Sequence, residues 1–241
     1  MNPYSITFYN LHKCFGHRVL FDIEELTIKS GQCTLLSGIN GSGKSTLLKT
    51  IAGLEQPDQV NILHNEKQLD WKSAYKNIHK EIIYLHQSPL MFDASVADNI
   101  SYGMRKQGFS TTRIRRRLAT ALHWADLEHL RDNNARILSG GEKQRVAIAR
   151  AYVLSPKVLL LDEAFSNMDS DGRQRTFEQI RKLKNEGIGI ILTSHEFTQI
   201  ISLTDHHLKL QDGNLVTINH KDSSRPSPYS HDALTLITVN A

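Results

Sequence analysis

The run QCTLLSGINGSGKSTLLKT, from Gln32 to Thr50, passes from an apolar strand pattern through a glycine-rich turn into a helical pattern, and no other stretch limits the fold as tightly. Gly38, Gly43, Lys44 and Ser45 occupy the spacing G-x-x-x-x-G-K-[ST]. Glycine lets the backbone of Gly38, Asn40, Gly41, Ser42 and Gly43 wrap closely enough for its amides to face phosphate oxygens. The helix beginning there adds the positive end of its dipole. Lys44 is expected to reach the outer phosphates and Ser45 to offer its hydroxyl to Mg²⁺, with Thr46 in the same cradle. A strand, a glycine loop and a helix in that order belong to an α/β fold.

Further strands are predicted at SITFYNL, VLFDIEELTI, EIIYLH (Glu81 to His86), KVLLLD (Lys157 to Asp162) and IGIILTS (Ile188 to Ser194). The last two are almost wholly apolar, as strands buried on both faces are, so the core sheet should be mainly parallel. From about Ser88 to Ser155, helical patterning takes over in ASVADNISYGMRK, TTRIRRRLATALHWA and EKQRVAIARAYVL. Near the end, Asp212 and Gly213 sit between two alternating runs, a hairpin signal. The expected organisation is a core at about 1–87 and 156–218, a helical part at about 88–155, and a tail at 219–241.

The amino terminus is polar and no apolar run reaches the roughly 18 residues of a membrane span, so a soluble, cytoplasmic chain is expected. Cys14 and Cys33 form neither a metal spacing nor a disulfide framework and read as structural. The charge, 29 basic against 25 acidic residues, is a mild bias spread along the chain and does not call for nucleic acid. In TRIRRRL, Ile114 and Leu118 should face inward while Arg113, Arg116 and Arg117 form a solvated helix face, with a place near anionic headgroups as the next reading.

The strand KVLLLDE brings Asp162 and Glu163 to its C-terminal end, where ligands bind in parallel sheets. Adjacent strand residues point opposite ways, so the two acids should have different tasks. Asp162 would hold Mg²⁺ through water and Glu163 would polarise an attacking water. A second glycine stretch, LSGG, precedes another helix and offers Ser139, Gly140, the Gly141 amide and a helix dipole to an anion. One triphosphate already cradled by Lys44 leaves little room for it, so the two loops should face different nucleotides, each shared between two copies of the chain.

In this arrangement the chain resembles the nucleotide-binding subunits of ATP-binding-cassette (ABC) transporters, over about Ser5 to Ile218, with LSGGE (Leu138 to Glu142) like the family signature. The resemblance implies a P-loop NTPase ABC cassette with a mainly parallel core sheet, an antiparallel β subdomain and a helical insertion subdomain. It also implies an ATPase with ATP and Mg²⁺ as ligands, and a head-to-tail homodimer that closes on binding and opens after hydrolysis. On matching positions it makes Gln87 a γ-phosphate and metal sensor, Asp169 part of the loop that crosses the dimer, His195 the switch histidine, and Phe15 the aromatic that stacks on adenine. A core phenylalanine is the competing reading of Phe15, and SNMD departs from the family's commoner small-residue version.

The likeness further implies integral permease partners, an extracytoplasmic substrate-binding protein, and a peripheral place on the cytoplasmic face of the cell membrane. Leu85 to Gly108 is similar to oxyanion importer ATPases, tungstate first. A soluble single-cassette ATPase of iron–sulfur cofactor assembly, or an exporter ATPase, is the alternative. With no β-rich regulatory domain after the core, direct cargo sensing is not expected.

Overall fold

The computed structural model describes residues 4–166, 168–194 and 200–218. In chain order its first elements are β1 (Ser5–Phe15), β2 (Arg18–Lys29), β3 (Cys33–Ser37), α1 (Lys44–Ile51), β4 (Gln59–His64), β5 (Lys67–Leu69), α2 (Trp71–Glu81) and β6 (Ile82–Leu85). There follow α3 (Val96–Lys106), α4 (Thr111–Trp124), α5 (Gly140–Tyr152), β7 (Val158–Leu161), α6 (Ser170–Asn185), β8 (Gly189–Thr193), β9 (His206–Gln211) and β10 (Asn214–Thr217). One sheet, ordered β2-β1-β4-β5, is antiparallel throughout. The other runs β10-β9-β3-β8-β7-β6, parallel except where β10 folds back on β9 through Asp212 and Gly213.

Strand alternation divides the apolar residues of the parallel sheet between two cores. Leu35, Leu159, Leu161, Ile190 and Leu192 point to one face, where α3, α5 and the end of α4 add Ile100, Val146, Ile148 and Leu122. Leu36, Val158, Leu160 and Ile191 point to the other, against Leu47, Leu48 and Ile51 of α1 and against Phe8, Phe21 and Ile62 of the antiparallel sheet. Each such side chain contributes about 1.5–3 kcal/mol on burial. The helices between β6 and β7 therefore complete a sheet face and do not enclose a separate core. Ser95, Ser110 and Ser139 cap α3, α4 and α5 through the amide three residues on, as Asp70 and Asp169 cap α2 and α6.

Several elements exceed the sequence reading. Of α2 only Ala74 and Ile78 are buried, too few to show a period, and α2 runs through Glu81, so β6 begins at Ile82. The buried face of α6 is Thr176, Gln179, Ile180 and Leu183, half of it polar. Ile114 and Leu118 do pack against the core, and Arg113 lies over the Phe109 ring at 4.0 Å. Arg117, however, is not part of a solvated face. Its Nη1 donates to the Val153 carbonyl at 2.6 Å and to Ser155 Oγ at 3.1 Å, because its long stem reaches the end of α5.

Candidate active site

The glycine loop leaves the C-terminal end of β3 at the middle of the parallel sheet. Two of its glycines are fixed by their surroundings. A Cβ on Gly38 (φ 149) would lie 2.6 Å from the Leu210 carbonyl oxygen, and one on Gly43 (φ 106) would lie 2.8 Å from Leu20 Cγ. Gly43 is also the N-cap of α1 and supplies no side-chain cap, so the first amides of that helix keep their donors for something else. Ser42 Oγ is buried without a hydrogen-bond partner, a second donor in the same turn. Lys44 Nζ donates to the carbonyls of Gly38 at 2.8 Å and Ile39 at 3.0 Å. Burial lowers the Lys44 pKa from its ordinary value, while the Glu163 and Asp162 carboxylates act the other way, so all three charges sense one another.

Those carboxylates end β7. Asp162, 5% exposed, accepts from the Tyr84 hydroxyl on one oxygen and from Thr193 Oγ1 on the other, both at 2.9 Å. The same Thr193 oxygen accepts from the Glu163 amide at 2.7 Å. Glu163 has φ 48, the left-handed region that a non-glycine residue enters only when neighbours hold it there. Its carboxylate accepts from Gln87 Nε2 at 2.5 Å. Gln87, Asp162, Glu163 and Lys44 thus lie together in the structure, and two residues the sequence did not single out fix the acids: Tyr84 and Thr193 both bond the Asp162 carboxylate, and Thr193 also accepts from the Glu163 amide. Their signal lay only in position: Tyr84 is next to last in β6, three residues before Gln87, and Thr193 is last in β8, two before His195.

The donor set fits Mg²⁺. A serine hydroxyl at the helix start, one buried carboxylate and an amide oxygen leave coordination to water and substrate phosphates, the usual arrangement for this ion. Among the described residues no group of three or more His, Cys, Asp or Glu forms a self-sufficient metal cage.

Ser139, Gly141 and Asp169 meet elsewhere, in a cleft of about 240 Å³ with Arg145, Asp171 and Gly172. Ser139 Oγ accepts from the Glu142 amide at 3.3 Å and donates to Glu142 Oε2 at 2.8 Å, while the Ser139 amide donates to the same carboxylate oxygen at 2.8 Å. Burial pushes the Glu142 carboxyl up, but these bonds hold it below its ordinary value. Asp169 Oδ1 accepts from the Gly172 amide at 2.8 Å. Phe15 ends β1 with 54% of its surface exposed and Lys13 Nζ 5.0 Å from its ring, so it is not a core residue. His195, Asn167 of SNMD and the tail from 219 lie outside the described residues.

A family model described as ABC transporter matches residues 21–166. The chain belongs to the ABC transporter family. It is 37% identical over 209 residues to the iron(III) ions import ATP-binding protein FbpC 1 of Haemophilus influenzae, covering 86% of this chain and 63% of that protein. It is 33% identical over 223 residues to the FbpC of Escherichia coli K12, covering 92% and 63%. The chain thus spans less than two thirds of these relatives' length. Among solved structures it is similar to the cassette cbiO1 of Clostridium perfringens, part of the transporter complex cbiONQ, with TM-score 0.80, 30% identity and coverage of 89% and 88%. The fold of this ABC protein, a mainly parallel sheet with an antiparallel sheet and helices set between strands, is that of an ABC cassette. The relatives named here carry iron in their names, and the tungstate reading of Leu85 to Gly108 gives way to them.

Proposed function

We propose that this chain is the ATP-hydrolysing subunit of a membrane importer, acting as two copies closed around two MgATP. The observation that carries the reading is a separation within one chain: the cleft of Ser139, Gly141 and Asp169 includes none of Gly38 to Thr46, Gln87, Asp162 or Glu163. Two anion-directed loops that do not share a cleft are complementary only when a second copy supplies the missing half.

In that assembly the loop amides and Lys44 hold the phosphates of ATP, Phe15 stacks on the base, and the second copy's signature residues close over the γ-phosphate. Ser45, Gln87 and, through water, Asp162 would hold Mg²⁺, which would supply positive charge against the phosphates. Glu163 takes the proton of a water as its oxygen attacks the γ-phosphorus. The bond from phosphorus to the β-phosphate oxygen breaks, giving ADP and phosphate. Gln87 steers the carboxylate, and His195 is assigned to the γ-phosphate.

The motion passes to separate permease subunits from the cytoplasmic face of the membrane, and no described helix is long and apolar enough to cross it. The lobes proposed for this are about 1–87 with 156–218, and 88–155. The relatives' names favour ferric iron, delivered by an extracytoplasmic binding protein, as the cargo.

Glu163→Gln tests the enzyme reading. It should bind MgATP, lose about 10²- to 10⁴-fold in turnover, and become a dimer by light scattering when ATP is added. Near-normal turnover would remove Glu163 from its role. Vesicles holding the assembled transporter should take up ⁵⁵Fe³⁺ and leave tungstate outside; the reverse would overturn the cargo assignment.

A further inference from the structure

Lys157 immediately precedes β7 and Asp162 immediately follows it, so the two stand at opposite ends of the parallel sheet, roughly 16 Å apart at 3.3 Å per residue. At the Lys157 end lies a cavity of about 440 Å³ between α4, the end of α5 and the turn after α6. Its charged lining is Arg116, Arg117, Lys157 and Glu186; Ser155 adds a hydroxyl, while that of Thr120 donates to the Arg116 carbonyl at 3.1 Å. The single acid, Glu186, stands near enough to Tyr152 to help burial raise the pKa of its hydroxyl. Among the described residues neither Arg116 nor Lys157 makes an ion pair.

Arg117 is held in place by its bonds to the Val153 carbonyl and Ser155 Oγ. Ser155 sits at φ 55, a left-handed conformation unusual for serine, which turns the chain so that its hydroxyl meets the guanidinium. Burial, and then the charges of Arg113 and Arg116, lower the Arg117 pKa from its ordinary value, with Tyr152 acting the other way, so positive charge is crowded here.

We propose that this cavity is a binding site for a phosphate group, supplied either as free phosphate or by a phospholipid headgroup. A fixed guanidinium, a second exposed guanidinium, a flexible ammonium and the Ser155 hydroxyl, whose own proton is still free, suit a tetrahedral dianion with several acceptor oxygens better than a planar carboxylate. The bound group ties α4 to the leader of β7, at the far end of the strand that carries Asp162 and Glu163.

Trp124 stacks on Tyr152 of the cavity wall, ring centroids 4.5 Å apart and planes 7° from parallel, and reports occupancy by fluorescence. The only other tryptophan is Trp71, so Trp71→Phe leaves one reporter, and Lys44→Ala removes the response of the glycine loop. In that full-length background, inorganic phosphate at constant ionic strength should change the emission saturably. The affinity should fall about tenfold or more in Arg116→Ala/Lys157→Ala. Thr120→Glu, which places a carboxylate at the rim without removing a packing group, should abolish the response. In a second arm the protein is sedimented with phosphatidylcholine vesicles with and without phosphatidic acid. A response to phosphate that the variants lose assigns free phosphate; vesicle binding that needs phosphatidic acid and the same cations assigns the headgroup. Silence in both arms overturns the proposal, as do responses unchanged in variants that melt like the parent.

Discussion

Thr193→Val isolates how Asp162 and Glu163 are kept to separate tasks. The side chain is fully buried, and its hydroxyl donates to the Asp162 carboxylate at 2.9 Å while accepting from the Glu163 amide at 2.7 Å. Valine has nearly the same shape, so packing is preserved and only these bonds go. A hydrogen bond to a charged group contributes about 1.5–3 kcal/mol, and a buried amide left without an acceptor costs about 1–3 kcal/mol. Glu163 is meanwhile no longer held in its left-handed conformation, which itself costs about 1–3 kcal/mol. If about 2–3 kcal/mol of the loss falls on positioning Glu163, kcat drops roughly 30- to 150-fold. KM for ATP should stay near the parent value, since Lys44 and the loop amides are untouched. Thr193→Ser keeps the hydroxyl and should restore turnover, which a purely packing role would not predict. Steady-state ATP hydrolysis with parallel nucleotide-binding titrations decides it. A folded Thr193→Val enzyme with parental kcat, or one whose loss lies in KM, refutes the reasoning. Because Thr193 acts through Glu163, adding Thr193→Val to Glu163→Gln should cost little more.

Gly43→Ala should weaken ATP binding because of both the Leu20 contact and the φ of 106, and Leu20→Ala should restore only the steric part, measured by nucleotide titration of the single and double variants. Gly38→Ala meets a backbone carbonyl and should have no such rescue. Phe15→Ala should raise KM for ATP by roughly fivefold to tenfold from the loss of about 1 kcal/mol of stacking, while Phe15→Tyr should not; equal KM values would remove the stacking role. Burial pushes the Asp205 carboxyl up, but bonds from Lys184 at 2.8 Å and from the Cys33 amide at 2.7 Å hold it below its ordinary value. A depressed folded value stabilises above the unfolded pKa of about 3.9 and ceases to as pH falls through the folded value. The stability gap between the parent and Asp205→Asn in urea unfolding should therefore be full at pH 7 and shrink below about pH 4; a gap that widens there contradicts the sign.

What the sequence disclosed divides by the range of the interaction that fixes each residue. Lys44, Ser45 and the glycines were legible because a turn and a helix start are decided within ten residues, and Asp162 and Glu163 because an apolar run sets where β7 ends. Tyr84 and Thr193 were not, since their tasks exist only once β6, β7 and β8 lie side by side in that order. α6 was hidden because Thr176 and Gln179 share its buried face with Ile180 and Leu183. Arg117 was misread because charge in a run says nothing about where a long stem leads.

LSGGE is the instructive case, since its residues answer to two demands at once. Ser139 and Glu142 form a reciprocal capping box, which any helix start could use. A Cβ on Gly141 would lie 3.3 Å from the Gly172 Cα, so close packing of α5 on α6 is sufficient reason for a glycine there. The motif thus supplies what its own helix needs without any ligand, and in the proposed dimer a phosphate held by a second copy would have to compete with Glu142 for the Ser139 hydroxyl proton. In the proposed closed dimer that competition would cost little, since the γ-phosphate would carry more charge than one carboxylate and the first amides of α5 would add their donors. In an open copy it keeps the hydroxyl satisfied.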